Sequence, residues 1–253
     1  MGITHPTPPN FTDEYTPIPS PHDGEHMLFH ATARGTVMKD LLRDDIFEDL
    51  PKILYPADRP DEIAACHAPH LYKDGRGGFD ILYGPRGFRL ANTKDFRFFS
   101  RRTLFEDDPS ARDPFVFEED GTHYVIFAVK NRIDYRTTRD FKTFSEAKVL
   151  QVNPWRGKDD SGACSESPYL FKRKGFYYLM WAIYDGRAGI YDHRTFLFGA
   201  RTWEELANSA PLTMLPAHAG EIYSDESGDY LLSAFYPENG INIAPLRWEN
   251  DED

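Results

Sequence analysis

The sequence predicts an all-β protein: a five-bladed β-propeller with four-stranded antiparallel blades around a central channel. One type of segment occurs five times, with a Pro or Gly anchor at positions 17, 69, 114, 168 and 220, so that the spacings are 52, 45, 54 and 52 residues. Four short strands and their turns need about 40–45 residues, the length of one propeller blade. A β-sandwich with fortuitous spacing is the alternative, and five matched units disfavour it.

Each copy begins with an apolar strand, a glycine turn and an aromatic strand. The third to fifth copies read ARDPFVFEEDGTHYVIF, SESPYLFKRKGFYYLMW and HAGEIYSDESGDYLLSAF. A glycine follows every anchor, at Gly24, Gly75, Gly121, Gly175 and Gly228. Three of these turns contain Asp-Gly, the pair preferred in two-residue hairpins because both positions need a positive φ. We therefore predict that each copy opens with a β-hairpin.

A third and a fourth strand complete the repeat. The third strands are predicted within RGFRLANT, IDYRTTRD, TFLFGART and INIAPLRW, and the outer strands within KILYP, RTLFE, KVLQV and LTML. Four markers separate them: Asp45-Ile46, Asp95-Phe96, Asp140-Phe141 and Thr202-Trp203. Residues 37–50 have a partly helical period, and we interpret them as a third strand with an outer turn.

These strands predict one domain over residues 1–253. The blades span about 13–60, 64–107, 109–155, 162–215 and 216–250. The fifth unit ends after Trp248 without an outer strand. Residues 2–12 could supply a closing strand, although their prolines restrict it to an edge.

Composition excludes several classes of protein. With 29 Lys+Arg against 41 Asp+Glu, the net charge is −12, which argues against a duplex nucleic-acid binder. The longest strongly apolar run, Phe176 to Tyr184, is too short to span a bilayer, so no membrane partner is expected. Two cysteines exclude a disulfide scaffold and a thiolate zinc site. The N-terminus lacks a secretory pattern, so a cytoplasmic location is expected.

The residues before the anchors carry the chemical signal, because the first strand of each blade lines the channel. Two positions before the anchors lie Tyr15, His67, Arg112, Glu166 and His218, and one position before lie Thr16, Ala68, Asp113, Ser167 and Ala219. Any one of these residues could be an ordinary turn cap. Polar residues at equivalent positions in several repeats favour a shared site at the channel mouth.

Here the chain resembles the five-bladed β-propeller glycosidases, closest to glycoside hydrolase family 43 and also similar to families 32, 68 and 117. ARDPFVFEEDGTHYVIF is similar to the third-blade motif with Asp before Pro, and Glu166-Ser167-Pro168 to the general-acid motif. The resemblance implies Glu166 as general acid, with a pKa raised by burial and by nearby Asp113. It implies Asp113 as the carboxylate that orients the sugar, and His218 as the channel histidine.

One position departs from the family pattern. The family's general base is an Asp directly before the first-blade Pro, and Thr16 stands there. A bulge could turn Asp13 or Glu14 into the channel. We instead expect His67 or His218 to be the proton-accepting partner, ahead of Asp13, because their register already places them at the mouth.

His67 and His218 could also have other roles. Both could be hydrogen-bonded channel residues, or His67, His218 and a carboxylate could bind a metal on the axis. The resemblance allows a channel Ca²⁺ or other divalent ion near His218, and no cofactor is required.

The second strand of each blade returns to the mouth, which predicts substrate-binding residues there. They are Trp181, Tyr184, Arg132, Tyr83, Arg112 and His30. Trp181 could instead pack between blades, and Arg112 could form a rim salt bridge. Aromatic and basic side chains together suit a sugar or an anionic small molecule.

The leading hypothesis is a glycoside hydrolase-like enzyme acting on a small carbohydrate, with arabinofuranosyl, xylosyl or fructosyl groups as candidates. The replaced base supports an alternative: the same fold used for a lyase, cyclase or hydratase reaction of biosynthesis. A third option is a non-catalytic sugar-binding relative, which the retention of Asp113 and Glu166 opposes.

Overall fold

The computed structural model describes the following residues: 11–19, 26–32, 35–43, 46–49, 67–84, 87–96, 98–105, 108–154, 164–184, 194–226, 228–234 and 241–248. In residues 11–49, and at His67, Cys164, Tyr184 and a few strand ends, the description concerns the backbone. No helix in these ranges is long and apolar enough to cross a membrane.

Nineteen described strands form five antiparallel sheets, numbered here in chain order. The first sheet contains β1 Phe11–Pro19, β2 His26–Thr32, β3 Gly35–Arg43 and β4 Ile46–Asp49. The second contains β5 His67–Lys73, β6 Phe79–Gly84, β7 Phe88–Thr93 and β8 Ser100–Phe105. The third contains β9 Arg112–Glu119, β10 Thr122–Val129, β11 Arg132–Thr138 and β12 Lys148–Val152.

The fourth sheet contains β13 Cys164–Arg173, β14 Phe176–Tyr184, β15 Arg194–Ala200 and β16 Thr213–Leu215. The fifth contains three described strands, β17 His218–Asp225, β18 Gly228–Ala234 and β19 Ile241–Leu246. The first strands of consecutive sheets contact one another, from β1 to β5, β9, β13 and β17, and β17 contacts β1. The sheets are therefore arranged as a β-propeller.

Within the described residues, the strands predicted from the repeat are present. β12 covers KVLQV, β7 lies within RGFRLANT, and β19 lies within INIAPLRW. Residues 37–43 belong to the third strand, as predicted, while residues 46–49 form the short outer strand β4 where a turn was expected. The expected strand KILYP and residues 2–10 of the expected closing strand lie outside the described residues, while Phe11 and Thr12 belong to β1.

The hydrophobic core lies between neighbouring sheets. Along β10, Val125, Phe127 and Val129 pack against the second sheet, while Ile126 and Ala128 pack against the fourth. Because successive side chains point to opposite faces, a strand covered on both sides becomes a continuous apolar run. This explains the uninterrupted apolar stretches in the second strands of the repeats.

The turns of the hairpins have the backbone expected from their sequence. Asp120 and Gly121 have φ of +50° and +69°, and Lys174 and Gly175 have φ of +48° and +79°. Two consecutive positive φ values match the right-handed twist of the flanking strands.

The marker that follows the third strand has the same hydrogen-bonded structure in the second and third sheets. The hydroxyls of Thr93 and Thr138 accept the N–H groups of Phe96 and Phe141, both at 2.9 Å. At the equivalent place in the fourth sheet, Thr202 begins the helix α1, Trp203–Asn208, by accepting the N–H of Glu205. The sequence analysis did not predict this helix, although Thr-x-x-Glu is a recognised signal for a helix start.

The first strands of sheets two to five share one irregularity directly before or at the anchor. In β9, the three steps from Arg112 to Phe115 face two steps on β10, where Ala128 pairs with Arg112 and Ile126 with Phe115. The same arrangement, with three steps on the inner strand facing two on its partner, begins at His67, at Glu166 and at His218. Each inner strand therefore contains a β-bulge, which bends the strand and redirects its side chains.

The residue before the anchor has a left-handed backbone in every one of these bulges. The φ values are +47° at Ala68, +58° at Asp113, +52° at Ser167 and +51° at Ala219. A left-handed L-residue costs roughly 1–2 kcal/mol, so this conformation is maintained by the surrounding sheets. It occurs at the positions that the sequence analysis assigned to the channel mouth.

Ala68→Val is expected to lower the free energy of unfolding by about 2–4 kcal/mol. A β-branched side chain is strained at a positive φ, and Ala68 is also buried, so overpacking adds to the loss. Denaturant unfolding measures the change. Ala91→Val is the matched control, since Ala91 is equally buried but pairs regularly with Ile81 in β6. Equal losses in the two variants would contradict the strain.

Candidate functional site

A pocket lies where the bulges of four sheets meet, and its space of about 310 Å³ includes open solvent. Its lining consists of three consecutive residues from each of four inner strands: Ala68, Pro69 and His70; Asp113, Pro114 and Phe115; Ser167, Pro168 and Tyr169; Ala219, Gly220 and Glu221. The expectation that the anchors face a common channel is confirmed for four of them. The side chain of the fifth, Pro17, lies outside the described part of the protein.

Charged residues of the third, fourth and fifth sheets come together beside this pocket, directly before or at the residues that line it, and Asp113 is the one that belongs to the lining. Arg112 Nη2 lies 2.7 Å from Glu166 Oε1, and His218 Nε2 lies 3.3 Å from Glu166 Oε2. Arg112 Nε lies 3.7 Å from Asp113 Oδ2. Arg112, Asp113, Glu166 and His218, called the mouth cluster below, thus form one connected group although they are far apart in sequence.

The side chains of Arg112 and Asp113 both belong to the mouth cluster, which would not be possible if these neighbours lay on a regular strand. Adjacent side chains of a β-strand point to opposite faces, and the sequence alone left open whether Arg112 points outward. With the left-handed bulge at Asp113, its Oδ2 accepts the N–H of Ser167 at 3.1 Å, while Arg112 reaches Glu166. Arg112 Nη2 also donates to the carbonyl of Ser165 at 3.3 Å. Arg112 therefore connects two sheets at the site.

Hydrogen bonds behind the mouth cluster hold its members in place. Ser165, directly before Glu166, donates its N–H to the carbonyl of Lys130 in the turn that follows β10. On the fifth sheet, the buried hydroxyl of Thr195 donates to the carbonyl of Ala217, directly before His218, at 2.7 Å. The backbone on both sides of the Glu166–His218 contact is therefore fixed by neighbouring strands.

The charges around Glu166 differ from the sequence expectation. Asp113 lies in the same cluster, as expected, but the guanidinium of Arg112 lies 2.7 Å from Glu166 and favours its ionised form. The cluster contains two carboxylates, one permanent cation and one imidazole. Whether Glu166 carries a proton therefore depends on His218, the partner of its second carboxylate oxygen.

A second layer of side chains lies below the mouth cluster. His70, Phe115, Tyr169 and Glu221 each follow the anchor of their strand and line the pocket. The Tyr169 hydroxyl donates to the carbonyl of Ile222, and burial together with nearby Glu221 raises the pKa of Tyr169. The sequence analysis missed this layer, although the position after the anchor, read across the repeats, contained the signal.

His70 is the buried imidazole of this layer. Its ring lies 4.5 Å from that of Phe115, and only 8% of the residue is exposed. Burial lowers the pKa of His70 from 6.5 to about 3, and a hydrogen bond with the Val116 backbone opposes this shift only in part. His70 is therefore neutral near physiological pH and contributes a polar but uncharged wall.

This burial predicts an acid-dependent loss of stability. Below pH 6.5 the unfolded chain binds a proton at His70 and the folded chain does not, so the free energy of unfolding falls until about pH 3. The contribution approaches about 1.4 kcal/mol per pH unit within this window. We expect His70→Gln to show a correspondingly shallower decline in denaturant unfolding between pH 6.5 and pH 4. Identical pH slopes in the two proteins would contradict this assignment.

Two expected substrate-binding residues lie in the core instead. Trp181 has no exposed surface and belongs to the apolar cluster between the third and fourth sheets, where it contacts Phe196 and Phe198. Trp181 lies two residues from both Leu179 and Ile183 along β14, so its side chain is on the same face of the strand and packs in the same cluster. Tyr83 is 1% exposed within β6. The expectation that these rings form pocket walls is corrected, because their strands are covered on both faces.

The remaining predicted residues have different outcomes. Arg132 is paired with Asp134, with Nε 2.8 Å from Oδ1, and it is not among the residues that line the pocket. The backbones of His30, His67 and Tyr184 belong to β2, β5 and β14, and their side chains lie outside the described part of the structure.

The expected channel metal stays a prediction, because the side chain of His67, one of its expected ligands, lies outside the described part of the structure. Among the side chains that are described, no three His, Cys, Asp or Glu groups come close enough together to bind an ion. His218 Nε2, the expected contact, faces Glu166. We therefore derive no chemical step through a metal.

Comparison with solved structures shows which proteins share this architecture. An endo-arabinase from Bacteroides thetaiotaomicron matches with a TM-score of 0.73 and 12% identity, over 98% of this chain and 98% of that one. A GH43_1 enzyme from Xanthomonas citri, complexed with xylotriose, matches with 0.71 and 15%, over 99% and 92%. A GH32 β-fructofuranosidase from Bombyx mori matches with 0.64 and 15%, over 97% and 62%. No protein-family model and no curated protein matches the sequence. The chain thus has the β-propeller fold of these glycosidases.

Proposed function

We propose that the protein is a glycoside hydrolase-like enzyme that acts on a small carbohydrate. The mouth cluster is the observation that supports this most directly, because it contains two carboxylates, Asp113 of the pocket lining and Glu166 beside it, in a fold shared with glycosidases. Glycoside hydrolysis passes through an oxocarbenium-like transition state that needs a proton donor for the leaving oxygen and a negative charge near the ring.

In this proposal Glu166 donates the proton and Asp113 orients the sugar. Asp113 is fixed by the N–H of Ser167 and lies beside Arg112, so its carboxylate can accept sugar hydroxyls and stabilise the developing positive charge. The Glu166 side chain is about one-fifth exposed, which leaves it accessible to solvent and to a ligand. Arg112 and His218 hold its two oxygens.

The general base is assigned to the side opposite Glu166. Inverting enzymes separate acid and base by about 6.5–9.5 Å, leaving room for a water molecule. His218 lies 3.3 Å from Glu166, which is too close for a base separated from the acid by such a distance. We therefore assign His218 as a partner of the acid. Asp13, Glu14 and His67 remain as the candidates for the base.

The register of β1 favours the two carboxylates. Phe11 pairs with Thr32 and Tyr15 with His30, so four steps on β1 face two on β2. This irregular interval contains Asp13 and Glu14, whereas Tyr15 to Ile18, including Thr16, pair without interruption. We therefore propose that the base comes from this interval, and loss of activity in Asp13→Asn or Glu14→Gln but not in His67→Ala would support it.

We also propose that the five sheets are five blades of one ring. The contacts of the first strands run from sheet to sheet and return from β17 to β1. The four described bulges at the pocket and the interrupted register of β1 support an arrangement of five inner strands around one channel.

A second candidate function is non-hydrolytic chemistry on the same fold, such as a lyase, cyclase or hydratase reaction. Two observations favour it: Thr16 replaces the expected base, and Arg112 favours an ionised Glu166. A non-catalytic sugar-binding protein is the third candidate, and the connected mouth cluster opposes it.

Purified protein incubated with 4-nitrophenyl glycosides of arabinofuranose and xylose, and with sucrose, tests the proposal. Hydrolysis is expected to release reducing sugar that incorporates ¹⁸O from H₂¹⁸O. An unsaturated product without label would favour the lyase reaction. Binding without turnover, measured by calorimetry, would favour the non-catalytic candidate.

A further inference from the structure

The two oxygens of the Glu166 carboxylate have different partners. Arg112 Nη2 lies 2.7 Å from Oε1, and His218 Nε2 lies 3.3 Å from Oε2. The first contact is a short charge-assisted hydrogen bond, and the second is at the long end of hydrogen-bond distances. The oxygens are therefore not equivalent as sites for a proton.

Arg112 determines the state of Oε1. A guanidinium group has only donors and stays charged at any pH relevant to the folded protein. Arg112 is also bound to the Ser165 carbonyl and lies near Asp113, so its position is fixed by three acceptor groups of two sheets. Oε1 consequently acts as an acceptor.

His218 offers what Arg112 cannot, because an imidazole nitrogen can either donate or accept a proton. His218 is 7% exposed, and the Thr195–Ala217 hydrogen bond fixes the backbone directly before it. One proton between Nε2 and Oε2 satisfies both atoms, as an imidazolium facing a carboxylate or as a neutral pair.

We propose that the Glu166–His218 pair, rather than Glu166 alone, holds the proton that is delivered to the leaving group. This inference rests on the proposed glycosidase-like function for its chemical step, although the shared proton itself does not. In this proposal Glu166 is the catalytic residue because it delivers the proton to the leaving group. Arg112 and His218 are positioning residues that act through it.

In the chemical step, the bond between Oε2 and the proton breaks, the proton goes to the glycosidic oxygen, and the electron pair of the broken C–O bond stays on that oxygen. A water molecule forms the new C–O bond at the anomeric carbon and loses its proton to the general base. Glu166 is left as a carboxylate facing Arg112 and His218. When the proton starts on His218, it passes to Oε2 first, so that His218 ends neutral.

The neighbouring groups are compatible with one shared proton. Arg112 and Asp113 on β9 contribute opposite charges beside the pair. Glu221 on β17 and neutral His70 on β5 line the adjacent pocket. Lys130, in the turn after β10, is paired with Asp108 at 3.0 Å.

Two leaving groups test the catalytic part. On a methyl glycoside, which needs a proton donor, His218→Gln is expected to lower kcat about 10²-fold. On the 2,4-dinitrophenyl glycoside of the same sugar, which leaves without a proton, we expect less than a tenfold change. The double variant Glu166→Gln/His218→Gln is expected to be no slower than Glu166→Gln on the methyl glycoside, because the two residues act as one unit. Equal losses on both substrates, or additive losses, would overturn the proposal.

An NMR measurement tests the pair without any substrate, so its outcome is independent of the proposed function. In protein with ¹⁵N-labelled histidine, the Nε2 resonance of His218 is expected to shift in Glu166→Gln, because the carboxylate partner is lost. An unchanged resonance would overturn the proposal even if hydrolysis is found. Absence of hydrolysis together with a shifted resonance would reject only the glycosidase step.

His123 provides the matched control. Its Nδ1 lies 3.8 Å from Glu118 Oε2 at the far end of β9, away from the pocket. His123→Gln is expected to retain the wild-type ratio of activities on the two leaving groups, and its own resonance is expected not to respond to Glu166→Gln. A changed ratio in His123→Gln would mean that any loss of a histidine–glutamate pair has this effect, which would also overturn the proposal.

Discussion

Glu166→Gln is expected to reduce kcat on an unactivated glycoside by about 10²–10⁴-fold while leaving the fold intact. The amide keeps the shape of the carboxylic acid and can still accept from Arg112 through its oxygen, but it cannot transfer a proton to the leaving group. Because the side chains of Arg112 and Glu166 are 32% and 22% exposed and Arg112 keeps Asp113 beside it, the substitution leaves no buried charge without a partner in the core.

Steady-state kinetics together with circular dichroism separates the loss of a proton donor from a loss of structure. Glu118→Gln is the matched control, because Glu118 is on the same inner strand of the third sheet as Asp113 but is exposed and paired with His123. We expect wild-type kcat in that variant. Unchanged turnover in a folded Glu166→Gln protein would remove Glu166 from the mechanism.

Trp181→Ala is expected to lower the free energy of unfolding by about 3–5 kcal/mol, the usual cost of truncating a buried aromatic side chain. The indole is fully buried, with its ring 5.0 Å from Phe196 and 5.9 Å from Phe198. The next residue, Ala182, pairs with Glu166 across the sheet, so the cavity also loosens the strand behind the proposed acid.

Denaturant unfolding measures this loss, and Phe98→Ala is the control because Phe98 is 80% exposed. That variant is expected to remain within about 0.5 kcal/mol of the wild type. If Trp181 were a pocket wall, its truncation would weaken substrate binding with little effect on stability. A small change in unfolding accompanied by a raised KM would therefore restore the original expectation.

The repeat in the sequence was sufficient to predict the strands. Turn residues such as Asp120-Gly121 and the alternation of buried side chains are local properties, so the hairpins and outer strands could be placed without long-range information. The continuous apolar run around Trp181 was harder to interpret, because a strand buried on both faces gives no alternation from which a face can be assigned. Trp181 and Tyr83 were therefore assigned to the pocket although they belong to the core.

The helix α1 shows a second reason why the sequence predicts only part of the structure. Its signal, Thr202 with Glu205 three residues later, is short and local, but the equivalent markers in the second and third sheets form turns around Thr93 and Thr138 instead. The repeat thus predicted the position of the marker, while its detailed conformation depended on the residues that follow it.

The sequence by itself determined that Arg112, Asp113, Glu166 and His218 lie near one end of the inner strands, since their offsets from the anchors are periodic. Only the tertiary structure decided which of them touch. A regular strand would send Arg112 and Asp113 to opposite faces, and the left-handed bulge at Asp113 brings both into the mouth cluster. The adjoining sheets hold that strained backbone, and no local pattern encodes it. The contacts of Glu166 with Arg112 and His218 therefore follow from how the sheets pack around the channel.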